Sequence, residues 1–244
     1  MSARGLVERA DAVLLDVDGV LCLGDDPIPG AAEAVAWLRA CVPLLVATTN
    51  DSRRARAAQA RRLARAGLTD APVVTAVDAL AATLLAGGHD RVAACGTEMF
   101  ADELERLGVR VDAPRATAVA IGAGSSPRSI ADGRELLARG IPAFAANEDA
   151  VVPTPEGPVP DTGAVVAALG CVPTYCGKPH GPMTRCVRPL LGAASKVVVI
   201  GDGIATDLAW ARAQGWRAIF VGGDPLVDAD AVVPTIGALA AATR

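Results

Sequence analysis

The chain has 244 residues, a formal net charge of −4 and a hydrophobic fraction of 52%. A chain of this length can bury a sizeable core, either as one large domain or as a core with an inserted second domain. The small negative charge excludes a general attraction to nucleic acid, and no apolar stretch is long enough to span a bilayer, because Asp, Arg or Pro interrupts each one.

No signal peptide is visible at the start of the sequence, and the six cysteines form no Cys-x-x-Cys pair. Their scattered spacing argues against a zinc site and against a disulfide framework. Free thiols are typical of a reducing compartment. We therefore expect a globular, cytoplasmic protein.

The first predicted elements alternate between apolar strands and helices, in the order strand 12–15, helix 31–40, strand 42–47 and helix 52–66. The strands are rich in Val and Leu, as buried parallel strands are. The segment 53–65 carries six arginines, a cluster of positive charge that could suggest RNA binding. Without interleaved aromatic residues, a solvated helix face is the favoured interpretation.

A second run of the same alternation follows, with strand 73–75, helix 76–86, strand 92–95, helix 97–107, strand 118–121, helix 127–139 and strand 143–146. A loop rich in Pro and Gly over 147–163, expected to hold a hairpin or irregular structure, precedes helix 164–169. Strands 197–200 and 218–221 then resume the first pattern. The sequence therefore predicts an α/β fold with a parallel-sheet core, residues 1–72 and 177–244, and an inserted α/β domain over 73–176.

Four polar motifs stand in a fixed order, and three of them directly follow an apolar run. They are Asp16-Val-Asp18-Gly19, Thr48-Thr49-Asn50, Gly177-Lys178-Pro179 and Gly201-Asp202-Gly-Ile-Ala-Thr-Asp207. Open α/β sheets bind ligands at the carboxyl ends of their strands. We therefore expect these side chains to be gathered at one place, as a phosphoryl-transfer site.

The two aspartates of the first motif suit covalent catalysis on a phosphate ester. Asp16 has the position of a nucleophile, since a carboxylate can attack phosphorus and form an aspartyl-phosphate. Asp18, two residues on in extended chain, returns to the same side and can act as a general acid and then as a base. A calcium loop is excluded because the further oxygen ligands of an EF-hand are missing, whereas an ordinary exposed loop stays open.

The second and third motifs offer groups that bind phosphate. Thr49 and Asn50 bring a hydroxyl, an amide and the N–H groups of a helix start, although a simple helix cap has the same pattern. Lys178 supplies a compact positive charge for phosphoryl oxygens. An ordinary surface lysine is its alternative.

The fourth motif predicts a metal site. Asp202, with Asp16 and the main-chain carbonyl of Asp18, would form an oxygen-only ligand set that suits magnesium. Asp207 then fits a supporting position, where it would hold Lys178 or a metal-bound water. Helix capping is the alternative for either aspartate, but the joint pattern at successive strand ends favours the site.

The four motifs in this order resemble those of the haloacid dehalogenase superfamily of phosphohydrolases. The stretch between Asp16 and Thr49 has no room for a cap domain, whereas the large insert follows Thr49, so the cap is of the second type. Residues 147–179 resemble the NagD or p-nitrophenylphosphatase-like subfamily, subclass IIA. The resemblance covers nearly the whole chain.

The resemblance implies a Rossmann-like core, a cap domain over 73–176 that sets substrate specificity, a magnesium ion and an aspartyl-phosphate intermediate. By position it assigns Asp16 as nucleophile, Asp18 as acid and base, Thr49 and Lys178 as phosphoryl binders and Asp202 as metal ligand.

The chain departs from the family pattern at two places. The family commonly has Thr-Asn-Asn where this chain has Asp51 in the third position, and Asn-Pro-Asp-Thr where this chain has residues 147–150. Asp51 would either repel the substrate dianion or cap the helix expected from Ser52; we favour the cap.

The predicted function is that of a magnesium-dependent phosphatase acting on a small phosphorylated metabolite. The few aromatic residues of the insert slightly favour a sugar or polyol phosphate over a ring that stacks. A non-catalytic module that binds a phosphorylated metabolite, and a phosphomutase, stay open as alternatives. A dehalogenase is disfavoured by Asp18. No membrane or nucleic-acid partner is expected, and a homodimer is left open.

Overall fold

The computed structural model describes residues 1–241. The strands are β1 (Ala12–Asp16), β2 (Cys22–Leu23), β3 (Asp26–Pro27), β4 (Leu45–Thr49), β5 (Val73–Thr75), β6 (Arg91–Cys95), β7 (Arg110–Val111), β8 (Ala118–Ile121), β9 (Ala143–Ala145), β10 (Val151–Val152), β11 (Val159–Pro160), β12 (Thr174–Tyr175), β13 (Val197–Gly201), β14 (Arg217–Val221) and β15 (Ala231–Val233). The helices are α1 (Ala3–Val7), α2 (Ala31–Cys41), α3 (Arg56–Arg65), α4 (Ala76–Ala86), α5 (Glu98–Arg106), α6 (Pro127–Ala138), α7 (Thr162–Leu169), α8 (Gly181–Leu191), α9 (Ala209–Gln214) and α10 (Ala238–Ala241).

The chain forms two compact units. The first comprises residues 1–49 and 57–74 and the chain from Val187 to the last described residue; the second comprises residues 50–56 and 75–186. Across residues 1–241, no helix combines the length and the apolar character that crossing a membrane would require.

The first unit contains a six-stranded sheet in the order β15-β14-β13-β1-β4-β5. Strand β1 pairs in parallel with β13 and with β4, so that Leu15 lies beside Ile200 and Asp16 beside Thr48. Every residue of β1, β4 and β13 is buried, as expected for central parallel strands covered on both faces. This register brings the polar residues that end these strands to one edge of the sheet.

The second unit contains a five-stranded sheet in the order β12-β9-β8-β6-β7, in which every pairing is parallel. Local sequence signals start its helices. Thr75 and Asp78 form a capping box at the start of α4, and Ser126 caps α6, whose first residue is Pro127. Both units are therefore parallel α/β structures, which confirms the predicted fold class.

Several predicted elements differ from the observed ones at their ends. Strand 42–47 begins only at Leu45, because Pro43 has no N–H to give to a neighbouring strand. Helix 52–66 begins at Arg56. The strand Val73–Thr75, expected in the inserted unit, is the edge strand of the first sheet. The loop 147–163 does contain a hairpin, formed by β10 and β11.

Candidate active site

Three carboxylates converge at the carboxyl edge of the first sheet. Asp16 ends β1, Asp202 follows β13, and Asp207 lies in the π-helical turn Ile204–Leu208. One oxygen of each lies within 4.8 Å of the others. Glycine permits this approach: Gly19 has φ +82°, and a Cβ there would overlap the carboxylate of Asp202.

The three carboxylates fit a divalent cation. Asp16 and Asp207 are buried, at 6% and 1% exposed, and like charges so close together repel one another unless a cation or protons offset them. An oxygen-only set is the kind that magnesium and calcium bind. Asp207, expected behind the metal, lies in the same group of oxygens; whether it binds the metal or supports it stays a prediction.

The side chain of Asp18 is held at both oxygens. The Thr49 hydroxyl donates to Oδ2 at 2.8 Å, and Nη2 of Arg62 lies 2.7 Å from Oδ1. The turn that carries Asp18 is closed by main-chain bonds, including those from the N–H groups of Leu21 and Cys22 to the carbonyl of Val17, each 2.9 Å long. Asp16, Asp202 and Asp207 thus meet within the first unit, and Asp18 lies in the same unit, in the turn that follows β1.

Two further predicted residues, Asn50 and Lys178, meet within the second unit. The Lys178 N–H donates to Asn50 Oδ1 at 2.8 Å, and Asn50 Nδ2 donates to the Lys178 carbonyl at 3.1 Å and to Asp149 Oδ2 at 2.9 Å. The Asn147 amide in turn donates to the Asn50 carbonyl at 2.7 Å. The side chain of Asn50 therefore holds the backbone of Lys178, and the lysine itself is only 1% exposed.

Asp51 binds two arginines of its own segment. Its carboxylate accepts from the Arg53 N–H at 2.9 Å and from Arg54 Nη1 at 2.8 Å, and the residue is 5% exposed. Because α3 begins at Arg56, Asp51 does not cap this helix, and the expected cap is wrong. Burial opposes its ionisation, but the hydrogen bonds and charges of Arg54 and Arg53 outweigh burial and hold the pKa of Asp51 below its usual value.

Replacing Asp51 by Asn is expected to lower the free energy of unfolding at pH 7 by about 1–3 kcal/mol, because Arg53 and Arg54 lose their charge-assisted bonds to it. Since the pKa of Asp51 is lowered on folding, its stabilisation is present above the unfolded Asp pKa of about 4 and is lost as the pH falls through the folded value. Urea unfolding of both proteins from pH 7 into the acid range measures this difference.

The matched control for this prediction is Asp70→Asn. Asp70 pairs with Arg39 at 3.5 Å but its side chain is 82% exposed, so its replacement should change stability little at any of these pH values. A several-fold fall in the Michaelis constant of Asp51→Asn, with unchanged stability, would contradict the structural role and return Asp51 to the substrate pocket.

Asp161 is a second buried aspartate of the second unit. It caps α7 by accepting the Thr162 N–H at 2.7 Å. Burial raises its pKa to about 6, although that hydrogen bond and the charge of Arg53 act in the opposite direction. Asp161 therefore changes its charge closer to neutral pH than an ordinary aspartate does.

Sequence reasoning missed Arg62 and Gln59. We expected the arginines of segment 53–65 on a solvated helix face, but Arg62 is 3% exposed and Gln59 1% exposed, whereas Arg61 is exposed. The helical spacing of Gln59, Arg62, Leu63 and Ala66, all buried, is the i, i+3, i+4, i+7 pattern of a buried face. That spacing was the available signal, and the polar character of two of its members obscured it.

Comparison with known proteins identifies the family of the chain. The family described as haloacid dehalogenase-like hydrolase matches residues 13–110, and a second HAD-hydrolase-like family matches residues 175–231. Human chronophin is 30% identical over 88% of this chain and 82% of its own length. The D-glycerol 3-phosphate phosphatase of Mycobacterium tuberculosis is 30% identical over 89% of this chain, which spans 64% of the length of that protein.

Two solved structures are similar over nearly all of this chain. The 4-nitrophenylphosphatase of Thermotoga maritima has a TM-score of 0.86 and 26% identity and covers 98% of this chain and 99% of its own. A glycerol phosphate phosphatase of M. tuberculosis in complex with magnesium has a TM-score of 0.80 and 28% identity, over 96% of this chain and 77% of its own.

The fold is that of a haloacid dehalogenase-like hydrolase. The chain belongs to this family, within the group that includes NagD and the p-nitrophenylphosphatases.

Proposed function

We propose that the protein is a magnesium-dependent phosphatase that hydrolyses a small phosphorylated metabolite through an aspartyl-phosphate on Asp16. The observation that carries this proposal is the convergence of Asp16, Asp202 and Asp207 within 4.8 Å, with Asp18 held nearby in the turn that follows β1. A nucleophile, a proton donor and a cation site are the groups that phosphoryl transfer to a carboxylate requires.

The reaction has two steps. In the first, Asp16 attacks phosphorus, the bond to the ester oxygen breaks, and that oxygen takes a proton from Asp18. In the second, the Asp18 carboxylate takes a proton from water, whose oxygen attacks the aspartyl-phosphate. The bond between phosphorus and Asp16 then breaks and phosphate leaves.

The remaining residues would bind the magnesium ion and the phosphoryl group. Asp16, Asp202 and the main-chain carbonyl of Asp18 would hold the magnesium ion, with Asp207 beside them, and the ion would offset the charges of the carboxylates and the phosphate dianion. Thr49 and Lys178 would bind the phosphoryl oxygens. Asn50 would contribute by holding Lys178, since its side-chain amide is bonded to the backbone of that residue.

The proposed substrate is a sugar or polyol phosphate, selected by a cap domain that the second unit would form. The second unit has few aromatic rings, and each has a neighbour: Phe100 is 1% exposed, Phe144 packs against His89, and Tyr175 stacks on His180, both at a ring distance of 5.4 Å. The matched relative named as a D-glycerol 3-phosphate phosphatase supports the same class.

The test of the proposed function is phosphate release by the purified protein with magnesium. The compounds to assay are p-nitrophenyl phosphate, D-glycerol 3-phosphate, a hexose phosphate and the phosphate ester of an aromatic heterocycle. We expect turnover of the nitrophenyl ester and the highest kcat/KM on a polyol or sugar phosphate. Saturable binding of such an ester without any phosphate release would favour a non-catalytic binding module instead.

A further inference from the structure

The strongest observation outside the predicted motifs is the burial of Arg62 against Asp18. An arginine is rarely buried unless its charge is paired, because removing it from water is costly. Arg62 lies within the first unit and is 3% exposed, whereas its neighbour Arg61 is exposed. Packing alone therefore does not explain why Arg62 is buried.

The guanidinium of Arg62 connects three groups. Nη2 lies 2.7 Å from Asp18 Oδ1, Nη1 donates to Gln59 Oε1 at 2.8 Å, and Nε lies 3.9 Å from Asp25 Oδ1. Gln59 stands one helical turn before Arg62 on the same face of α3 and is 1% exposed. The planar fork of an arginine, bound on two sides, fixes the direction of the oxygen that it meets.

The partners of the two Asp18 oxygens differ in what they can do. A guanidinium donates hydrogen bonds and accepts none. A proton on Asp18 Oδ1 could therefore not point toward Arg62. The Thr49 hydroxyl can donate or accept and can turn its hydrogen away. Proton exchange is thereby directed to Oδ2.

We propose that Arg62, held by Gln59, is a positioning residue that orients Asp18 so that Oδ2 delivers the proton to the leaving oxygen. This inference rests on the proposed phosphatase function, because it assigns a role within that reaction. Arg62 acts through Asp18 and has no contact with the reacting atoms in this assignment.

The experiment compares two esters that differ in their need for a proton. Nitrophenolate leaves readily without protonation, whereas the alkoxide of an alkyl phosphate such as D-glycerol 3-phosphate does not. In Arg62→Gln, kcat/KM for the alkyl ester should fall about tenfold or more beyond any fall for the nitrophenyl ester, because misplacing a catalytic group by about 1 Å can cost a hundredfold. Arg61→Gln, on the same helix but exposed, should leave both values unchanged.

Two further variants separate positioning from simple loss of structure. Arg62→Lys keeps the charge without the fork and should show the same selective loss on the alkyl ester. In the double variant with Asp18→Asn, Arg62→Gln should add no further selectivity, since Arg62 acts only through Asp18. If Arg62→Gln does not fold, Gln59→Leu decides instead, and it should reproduce the selective loss.

Equal losses on the two esters in the folded variants, or a selective loss that persists when Asp18 is already Asn, would overturn the positioning role of Arg62. Either result would leave the proposed phosphatase function standing. A parent protein that releases phosphate from neither ester would overturn the proposed function, and the positioning role with it.

Discussion

Asp16→Asn is expected to abolish multiple-turnover phosphate release, with the fold intact. The amide matches the carboxylate in shape but cannot attack phosphorus, so no aspartyl-phosphate can form. Rate enhancements by phosphatases are among the largest known, and loss of the nucleophile should leave turnover at the limit of detection. Phosphate release under steady-state conditions, measured with p-nitrophenyl phosphate and with the best natural ester, checks the result.

Thermal unfolding serves as the control for this variant. Because Asp16 lies within 4.8 Å of Asp202 and Asp207, removing one negative charge relieves repulsion, and Asp16→Asn should be at least as stable as the parent protein in the presence of chelator. Asp70→Asn, at an exposed position, should retain full activity. Turnover of Asp16→Asn near the parent rate would show that Asp16 is not the nucleophile.

Chelation should remove the activity, and magnesium should restore it. Without a cation, the carboxylates of Asp16, Asp202 and Asp207 repel one another and an incoming phosphate dianion. The same ion should stabilise the folded chain by mass action, by about 2.7 kcal/mol at a concentration one hundred times its dissociation constant. Activity and melting temperature, followed together in one magnesium titration, measure both effects.

Asp202→Asn is the matched variant for the metal prediction. It should lose both the activity and the rise in melting temperature with magnesium, because both effects depend on the same carboxylate. Full activity in excess chelator, with the metal shown to be absent by elemental analysis, would refute the metal role.

Much of the fold could be predicted because its signals are local. The Val and Leu content of two apolar runs is enough to predict β1 and β13. The predicted helix 76–86 matches the limits of α4, where Thr75 and Asp78 form a capping box. The common edge of Asp16 and Asp202 followed from the rule that parallel strands end together.

The rest of the site depends on pairings across long stretches of sequence. Asn50 and Lys178 are 128 residues apart, and the pattern of a helix start near Asn50 gave no sign that its amide would bind a peptide group. Asp18 and Arg62 are 44 residues apart, and charge on a helix is far more often solvated than buried. The expected cap by Asp51 is wrong for a related reason, because the sequence does not show that its carboxylate binds Arg53 and Arg54 while α3 begins only at Arg56.

Residues 50–56 belong to the second unit, and this affects how the second unit could be exchanged with that of a relative. Ser52, 2% exposed, accepts the Ala123 N–H at 3.0 Å and lies 3.1 Å from the Thr162 hydroxyl. A graft of residues 75–186 alone would carry Ala123 and Thr162 without Ser52, and an unsatisfied buried donor costs about 1–3 kcal/mol. A functional chimera must therefore exchange two stretches of chain, the short one before α3 as well as the long one.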